Sequence, residues 1–352
     1  MVTIDDVARR AGLSKAVVSS VIGGGSSNVR YSESTRRKVL RAASELDYKP
    51  RVAHGIGIIH CVGSKDPHQV DWVHWLSPML ASIHTEALAD NKLVSLFGYS
   101  AAELDRLLAT GEKPQILKRR KIDGLIVSGL LDRNLVGHMA ESRVPYILMN
   151  INDSHTHWED SICFDETFTG GQATRFLIER GHRRILHVSV RWTNEHYSVS
   201  GRRQGYEQAM TDAGLAPQVI EHFENRDALP AAEFLCELRE ILTGPEPPTA
   251  IFAYNEVVAT GIYRALHQLA SARVELMAAC WQDPRGMALL GISHVELPAF
   301  EMGKLAFRML LEKLTTGQPV PTICLRGVVR RLQDADGWEN SRETADGGRT
   351  KS

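Results

Sequence analysis

The spacing of hydrophobic residues changes from helical to strand-like at about residue 55. Before that point, apolar side chains recur every three or four positions, which predicts three short amphipathic helices. After it, short apolar runs alternate with longer amphipathic stretches, which predicts alternating strands and helices. The pattern therefore predicts a small helical domain over residues 1–50 and a large α/β domain over residues 56–332, joined by a short linker at 51–55.

The first two predicted helices are joined by an Ala-Gly turn. Thr3 is placed to cap the first helix, with Asp6 three residues later in a capping-box position. Gly12 stands where that helix needs a left-handed residue, and Ser14 then caps the second helix. One small core is predicted from Ile4, Val7, Ala8, Leu13, Val18, Val21 and Ile22. A helix-turn-helix is built in this way, and its second helix can enter a DNA major groove.

The charge of the first domain supports a nucleic-acid partner. Residues 1–54 hold ten Lys/Arg and five Asp/Glu, a net charge of +5, whereas the whole chain carries −1. A basic head on an acidic body is typical of a polyanion-binding module attached to a second domain. A hydrated helix face would explain the charge alone, but not the charge together with the turn pattern.

The larger domain is predicted to hold two series of strands, over residues 56–149 and 184–279. Strands that alternate with helices predict parallel sheets covered on both faces. Two series predict two lobes, with ligands bound beyond the carboxyl ends of the strands. Residues 333–352 are polar without periodicity, which predicts a disordered tail.

Composition narrows the class of protein further. The 352 residues are 43% hydrophobic and 24% charged, which is ordinary for a soluble protein. No apolar run approaches the ~18 residues that span a bilayer, and the amino terminus lacks a signal-peptide pattern. The five cysteines form no CxxC pair, which favours reduced thiols over a zinc site or a disulfide framework. A soluble cytoplasmic protein without a metal or cofactor is expected.

Short motifs in a fixed order run along most of the chain. The first domain contains Val2-Thr3-Ile4-Asp5-Asp6-Val7-Ala8, Ala11-Gly12-Leu13-Ser14, Val18-Ser19, Thr35-Arg36 and Glu45-Leu46-Asp47-Tyr48-Lys49-Pro50. The second contains Gly170-Gly171, Arg180-Gly181-His182-Arg183-Arg184-Ile185, Arg202-Arg203-Gln204-Gly205-Tyr206, Asn255-Glu256 and Glu301-Met302-Gly303. In order and spacing, these motifs resemble the LacI/GalR family of bacterial transcription regulators over residues 2 to about 332.

This resemblance implies a DNA-binding repressor with a helix-turn-helix head and a two-lobed body like a periplasmic binding protein. It implies a homodimer on a pseudo-palindromic double-stranded operator. It also implies a small-molecule effector, often a sugar or a nucleoside, that binds between the lobes and changes operator affinity. The chain lacks a terminal leucine heptad, which favours a dimer over a tetramer.

The resemblance also assigns residues to DNA. Lys15 and Ala16 are the first exposed positions of the second helix and match the family's base-reading positions. Lys15 can donate to guanine, whereas Ala16 can only touch a thymine methyl group. Ser20 replaces a usual arginine, which shortens one contact. Contacts that position the DNA backbone are expected from Thr3, Ser14, Ser19, Arg30 and Arg36. For each serine, helix capping or hydration is the alternative.

The linker departs from the family pattern. Family members carry a hinge helix that inserts a leucine into the minor groove, but only five residues separate Pro50 from Ile56 here. Val52 is the one large apolar side chain among them. Because a minor-groove wedge needs an apolar side chain on a positioned element, the sequence predicts a missing hinge helix and reduced DNA bending. A wedge formed by Val52 remains the alternative.

Candidate effector contacts follow the predicted strands. Arg202 matches the family's effector-contacting arginine, and its guanidinium can hold two hydroxyls or a carboxylate; a salt bridge is the alternative. Asn255 and Asn150 each follow a strand, and an amide both donates and accepts. The aromatic candidates that suit a sugar ring are Trp72, Trp75 and Trp281, with ordinary packing as the alternative.

Two departures leave the ligand and the function open. Trp281 ends a segment that replaces the usual Gly-Phe/Tyr-Asp-Asp and removes an acid, and Leu297 replaces a frequent polar residue. A less hydroxylated ligand, or a constitutive regulator with a vestigial or protein-bound cleft, is therefore the alternative. An enzyme is not expected, because His155 and His157 lack a third metal ligand at a familiar spacing and no nucleophile elbow or phosphate loop occurs.

Overall fold

Three short helices form the first unit of the chain, Met1–His54. In the computed structural model these are α1 (Ile4–Ala11), α2 (Lys15–Ile22) and α3 (Glu33–Glu45). Thr3 and Asp6 form the predicted capping box, and Gly12 ends α1 with a left-handed φ of 62°. The helices bury a shared core of Val7, Ala8, Ala11, Val18, Val21, Val39 and Ala42. The predicted helix-turn-helix arrangement is confirmed.

The structure describes most of the chain. The described residues are 2–22, 31–46, 48, 55–62, 71–100, 106–107, 110, 112, 122–129, 144–151, 159–191, 196–223, 232–269 and 274–331. Several predictions concern residues outside this set: the missing hinge helix, the disordered tail, the DNA contact of Arg30, and the histidines at 155 and 157.

The second unit, Gly55–Ser352, contains two sheets, each of six strands within the described residues. The first sheet has the order β11-β5-β4-β3-β1-β2, and every pairing in it is parallel. Its strands are β1 (Gly55–Val62), β2 (Leu93–Ser100), β3 (Ile122–Gly129), β4 (Tyr146–Ile151), β5 (Ser161–Phe164) and β11 (Ile323–Leu325). Helices α4 (Asp71–Ala89) and α10 (Ala299–Thr316) pack in one core against it. Gly55, placed in the linker by the sequence pattern, begins β1.

The second sheet has the order β12-β10-β9-β8-β6-β7. Its strands are β6 (Ile185–Arg191), β7 (Gln218–Phe223), β8 (Ala250–Ala253), β9 (Glu275–Cys280), β10 (Ser293–Glu296) and β12 (Val328–Arg330). All pairings are parallel except that β12 runs antiparallel to β10. Two cores cover this sheet. They are formed with helices α5 (Glu166–Glu179), α6 (Tyr197–Asp212), α7 (Ala232–Thr243), α8 (Glu256–Leu269) and α9 (Pro284–Leu289).

The described chain passes between the two lobes at three places. It leaves the first sheet after β5 and enters α5, and it returns from β10 into α10. It leaves again between β11 and β12, which belong to different sheets. The predicted two-lobed α/β body is confirmed. Within the described residues, no helix is both long and apolar enough to cross a membrane.

Candidate functional site

The exposed face of α2 is the candidate DNA interface. Lys15, Ala16 and Ser19 are all exposed on this helix. Ser14 caps the helix, because its Oγ accepts from the backbone N–H of Val17 at 3.4 Å. The amine of Lys15 lies 2.9 Å from Asp5, and both side chains are more than half exposed. Such an exposed ion pair is weak, so the amine can exchange its carboxylate partner for a base or a phosphate.

The structure changes the prediction for Ser20. Its residue surface is only 3% exposed, because it lies on the face of α2 that turns towards the three-helix core. A buried hydroxyl cannot reach DNA, so we withdraw Ser20 as a DNA contact. The sequence pattern missed this because serine is compatible with either face of a short helix.

Two further predicted DNA contacts pair with acidic side chains of the same chain. The hydroxyl of Thr3 donates to Asp6 at 2.7 Å, and this bond is the main reason why the pKa of Asp6 is lowered. Arg36 is exposed and lies 3.5 Å from Glu33. Thr3 therefore has an established role as a helix cap, whereas Arg36 remains accessible to a phosphate.

A buried ion pair replaces the predicted ligand contact of Arg202. The guanidinium donates twice to Glu166, at 2.7 and 2.8 Å, and once to the Tyr254 carbonyl oxygen at 2.7 Å. Arg202 is 1% exposed. We therefore correct the prediction: the bidentate fork is occupied by a carboxylate of the same chain and is not offered to an effector.

Aromatic rings complete the surroundings of this arginine. Its guanidinium carbon lies 4.6 Å from the ring centre of Tyr254 and 5.5 Å from that of Trp281. Burial alone disfavours the charged guanidinium, but the Glu166 carboxylate outweighs this cost and raises the pKa of Arg202 above its usual value. Arg202 thus stays charged and organises the wall of the site. Trp281 also packs against the core of the first lobe.

Unpaired polar atoms lie beside this pair, at the carboxyl ends of β8 and β9. Asn255 is fully buried, and its Oδ1 caps α8 by accepting from Val258 N at 2.9 Å. One oxygen of Glu256 accepts from the backbone of Gln282 at 3.0 Å. The buried atoms Asn255 Nδ2, Glu256 Oε2 and Gln282 Nε2 have no partner among the described residues. Since buried polar groups are normally hydrogen-bonded, these atoms mark a polar site.

The electrostatics of Glu256 agree with this interpretation. Burial raises its pKa to about 7, although backbone N–H groups of neighbouring residues oppose the shift. A carboxyl group of this kind takes up or releases a proton near neutral pH. It can therefore act as either a donor or an acceptor towards a ligand.

Asn150 contributes from the first lobe. Its Oδ1 accepts from the hydroxyl of Tyr197 at 2.9 Å, and that hydroxyl also accepts from the backbone N–H of Phe164 at 3.0 Å. Asn150 has a left-handed φ of 48°, close to the carboxyl end of β4. Asn150 lies inside β4, one residue before its end, whereas the sequence pattern placed it after the strand. It meets the second lobe through Tyr197. Trp72 and Trp75 lie on α4, and their side chains are outside the described residues.

The sequence pattern missed several residues of this site: Glu166, Tyr197, Tyr254, Glu256 and Gln282. Glu166 carried one signal, an acidic residue at the start of a helix directly after the capping Asp165. That position alone does not reveal its partner, because Arg202 lies 36 residues further along the chain. Among the described residues, no cluster of three or more acidic, histidine or cysteine side chains could hold a metal ion.

A helix-turn-helix unit with an exposed lysine at the start of its second helix, followed by a two-lobed α/β body, is typical of a DNA-binding transcriptional regulator. Residues 3–51 match the profile of bacterial regulatory proteins of the lacI family, and residues 174–331 match that of the periplasmic binding protein-like domain. The chain belongs to the LacI family of transcriptional regulators.

Curated relatives match nearly the whole chain. One is the HTH-type transcriptional repressor PurR of Yersinia pestis, which is 28% identical over 349 residues and covers 96% of this chain and 98% of its own. Another is the uncharacterized HTH-type transcriptional regulator YkvZ of Bacillus subtilis, which is 28% identical over 329 residues, covering 91% of this chain and 95% of its own.

Solved structures share the fold. The Lac repressor dimer bound to operator and the anti-inducer ONPF is 20% identical, with a TM-score of 0.65, over 94% of this chain and 98% of its own. The complex of the transcriptional regulator CelR with cellobiose is 22% identical, with a TM-score of 0.61, over the same shares.

Proposed function

We propose that this regulator is a homodimeric repressor whose affinity for a specific DNA operator is set by a small polar molecule bound between the lobes. The observation that carries the DNA-binding part is the exposed face of α2, where Lys15, Ala16 and Ser19 stand free of the core. Lys15 is the base-reading side chain in this proposal. Arg36 and the backbone around Ser14 hold phosphates.

Unpaired polar atoms support a ligand between the lobes. Asn255 Nδ2, Glu256 Oε2 and Gln282 Nε2 are buried donors and acceptors without partners in the described part of the chain. A molecule with several hydroxyl groups or ring nitrogens satisfies such atoms, and the adjacent Trp281 offers an aromatic face. A sugar or a nucleoside fits this chemistry. A solved structure of the same fold, that of CelR, is a complex with the sugar cellobiose.

A second candidate is a constitutive regulator, and one observation favours it. The Arg202 fork is filled by Glu166, so the strongest polar anchor in the cleft is not offered to a ligand. In that case the unpaired atoms would be met by water, and the operator would be bound at all effector concentrations.

The DNA-binding part is tested by selection and substitution. An operator is selected from a random duplex library with the full-length protein, and its affinity is compared with that for random DNA. Lys15→Ala is expected to weaken operator binding by about 1–3 kcal/mol per contact and to relax preference at one base pair. The exposed Arg239→Ala, an equal charge change on α7, is the control and is expected to bind as the wild type does. Wild-type operator preference in Lys15→Ala would refute the assignment.

The effector part is tested by calorimetric titration with mono- and disaccharides, nucleobases and nucleosides. At least one compound is expected to bind and to change operator affinity. Gln282→Ala is then expected to weaken that binding without changing DNA affinity in the absence of ligand. If no compound gives a heat of binding and none changes operator affinity, the constitutive regulator is favoured.

A further inference from the structure

Two cysteines face each other across neighbouring strands. Cys163 lies on β5 and Cys324 on β11, and they are directly opposed in the parallel register. Cys163 is buried at 5% exposure, its Sγ lies 3.7 Å from the carbonyl oxygen of Ile323, and Cys324 is exposed. Both are free thiols in this structure.

This placement suits a disulfide bond. Paired strands lie about 4.8 Å apart, within the about 4.4–6.8 Å that separates the Cα atoms of bonded cysteines. Residues opposed in register project from the same face of a sheet, so both thiols lie on the same face. No strand shift is needed to bring the two sulfur atoms together.

Each of these two strands is followed directly by a segment that passes between the lobes. β5 leads directly into α5 through Asp165, and β11 leads into β12 through Arg326. These passages are already joined, because Asp165 N donates to Leu325 O at 2.8 Å and the Arg326 side chain lies 3.1 Å from Asp165. A covalent bond would tie the two passages close to this contact, because Cys163 lies two residues before Asp165 and Cys324 one residue before Leu325.

We propose that Cys163 and Cys324 form a reversible thiol–disulfide site, oxidised by low-molecular-weight disulfides, that fixes two of the passages between the lobes against each other. The Cys324 thiolate attacks one sulfur of the small disulfide and releases one small thiolate. Cys163 then loses its proton to solvent and attacks Cys324, releasing the second small thiolate. The protein loses two electrons, and the small disulfide gains them.

The two thiols differ in acidity in the way that this order of attack requires. The neighbouring Cys163 thiol lowers the pKa of Cys324, whereas the same contact and burial raise the pKa of Cys163. The exposed thiol is thus the better first nucleophile, since the thiolate is the reactive form. The buried thiol is the resolving partner.

The full-length protein is incubated with oxidised and reduced glutathione at set ratios, and free thiols are then alkylated under denaturing conditions. Peptide mass mapping is expected to find a Cys163–Cys324 cross-link that dithiothreitol reverses. In Cys324→Ser, the cross-link should be lost and Cys163 should remain alkylatable. Cys236→Ser, which removes an exposed cysteine of α7, is the matched control and should cross-link as the wild type does.

A second measurement tests the link between the passages. The oxidised wild type is expected to unfold several degrees higher than the reduced form, because the bond restricts the unfolded chain. Oxidant should leave the unfolding temperature of Cys324→Ser unchanged. A glutathione adduct on Cys324 with Cys163 free, or a cross-link without a rise in unfolding temperature, would overturn the proposal. Either result leaves the proposed DNA and effector functions untouched, because they do not use these thiols.

Discussion

At the scale of single residues, the pairing of Arg202 decides the chemistry of the cleft. Both side chains of the Glu166–Arg202 pair are 2% exposed, so neither charge is hydrated. A buried charge needs a partner, and removing one member strands the other. Glu166 therefore matters for stability as well as for the shape of the site.

We predict that Glu166→Gln lowers the free energy of unfolding by about 3–5 kcal/mol, because it leaves the Arg202 guanidinium without a counterion. Urea denaturation measures this change. The control is Glu207→Gln, which breaks an exposed ion pair with Arg203 on α6 and should cost about 1 kcal/mol or less. Equal losses in the two variants would contradict the prediction.

Glu256 gives a pH-dependent prediction. Burial in the folded protein raises its pKa from the ordinary value of 4.5 to about 7. The folded state therefore binds the proton more tightly than the unfolded state. The stability that this group contributes is complete below about pH 4.5 and is lost as the pH rises through 7.

We predict that Glu256→Gln becomes more stable relative to the wild type as the pH rises, by up to about 3 kcal/mol between about pH 4.5 and 8. Chemical denaturation of both proteins at several pH values measures the difference. Comparing the two proteins at each pH removes contributions from other groups, such as the buried His187, whose pKa burial lowers to about 4. A stability difference that does not change with pH would contradict the prediction.

At the scale of secondary-structure elements, glycines permit the close contact of α5 and α6. A Cβ atom built on Gly205 would lie 2.0 Å from the carbonyl oxygen of Thr167, and one on Gly170 would lie 2.0 Å from that of Arg202. Backbone atoms cannot move aside as a flexible side chain can. The close approach places the start of α5, with Glu166, beside Arg202 on α6.

We predict that Gly205→Ala lowers the free energy of unfolding by about 1–3 kcal/mol or more, because the added methyl group forces the two helices apart. Gly171→Ala on α5 is the matched control, since the three atoms nearest to its Cβ would all belong to the guanidinium of the exposed Arg175, the nearest at 3.0 Å. Replacing a helical glycine there should be neutral or stabilise by about 1 kcal/mol. Thermal unfolding compares the stabilities of the two variants. A Gly205→Ala variant as stable as the wild type would contradict the prediction, because it would show that the two helices can move apart without cost.

At the scale of the whole molecule, charge is divided between the two units. The first 54 residues carry +5 and the remainder −6. The basic unit attracts DNA phosphates, whereas the acidic body does not add to that attraction. DNA affinity should therefore depend strongly on salt through the head alone.

We predict that operator affinity falls at least about tenfold between 50 and 200 mM salt, because bound phosphates release counterions. Arg36→Ala should reduce the slope of log affinity against log salt concentration by about one, because it removes one phosphate contact. Arg239→Ala in the body should leave the slope unchanged. Fluorescence anisotropy with labelled operator measures these slopes, and salt-independent binding would contradict the proposed interface.

Much of the fold was predictable because its signals are local. The caps at Thr3 and Ser14, the left-handed Gly12 and the apolar runs of the central strands depend on neighbours in sequence. Short elements were not predicted: β5, β10, β11 and β12 have three or four residues each, which is too few for a clear period. Their pairing with distant strands stabilises them, and all four flank the passages between the lobes.

The sequence by itself determined a basic helix-turn-helix and two series of parallel strands, because hydrophobic period, capping residues and charge act over a few positions. Only the tertiary structure decided that Ser20 is buried, that Glu166 occupies the Arg202 fork and that Cys163 faces Cys324. Glu166 and Arg202 are 36 positions apart, and Cys163 and Cys324 are about 160 positions apart. The burial of Ser20 depends on which face of α2 the other helices cover. Packing between distant segments determines them, and no local pattern records it.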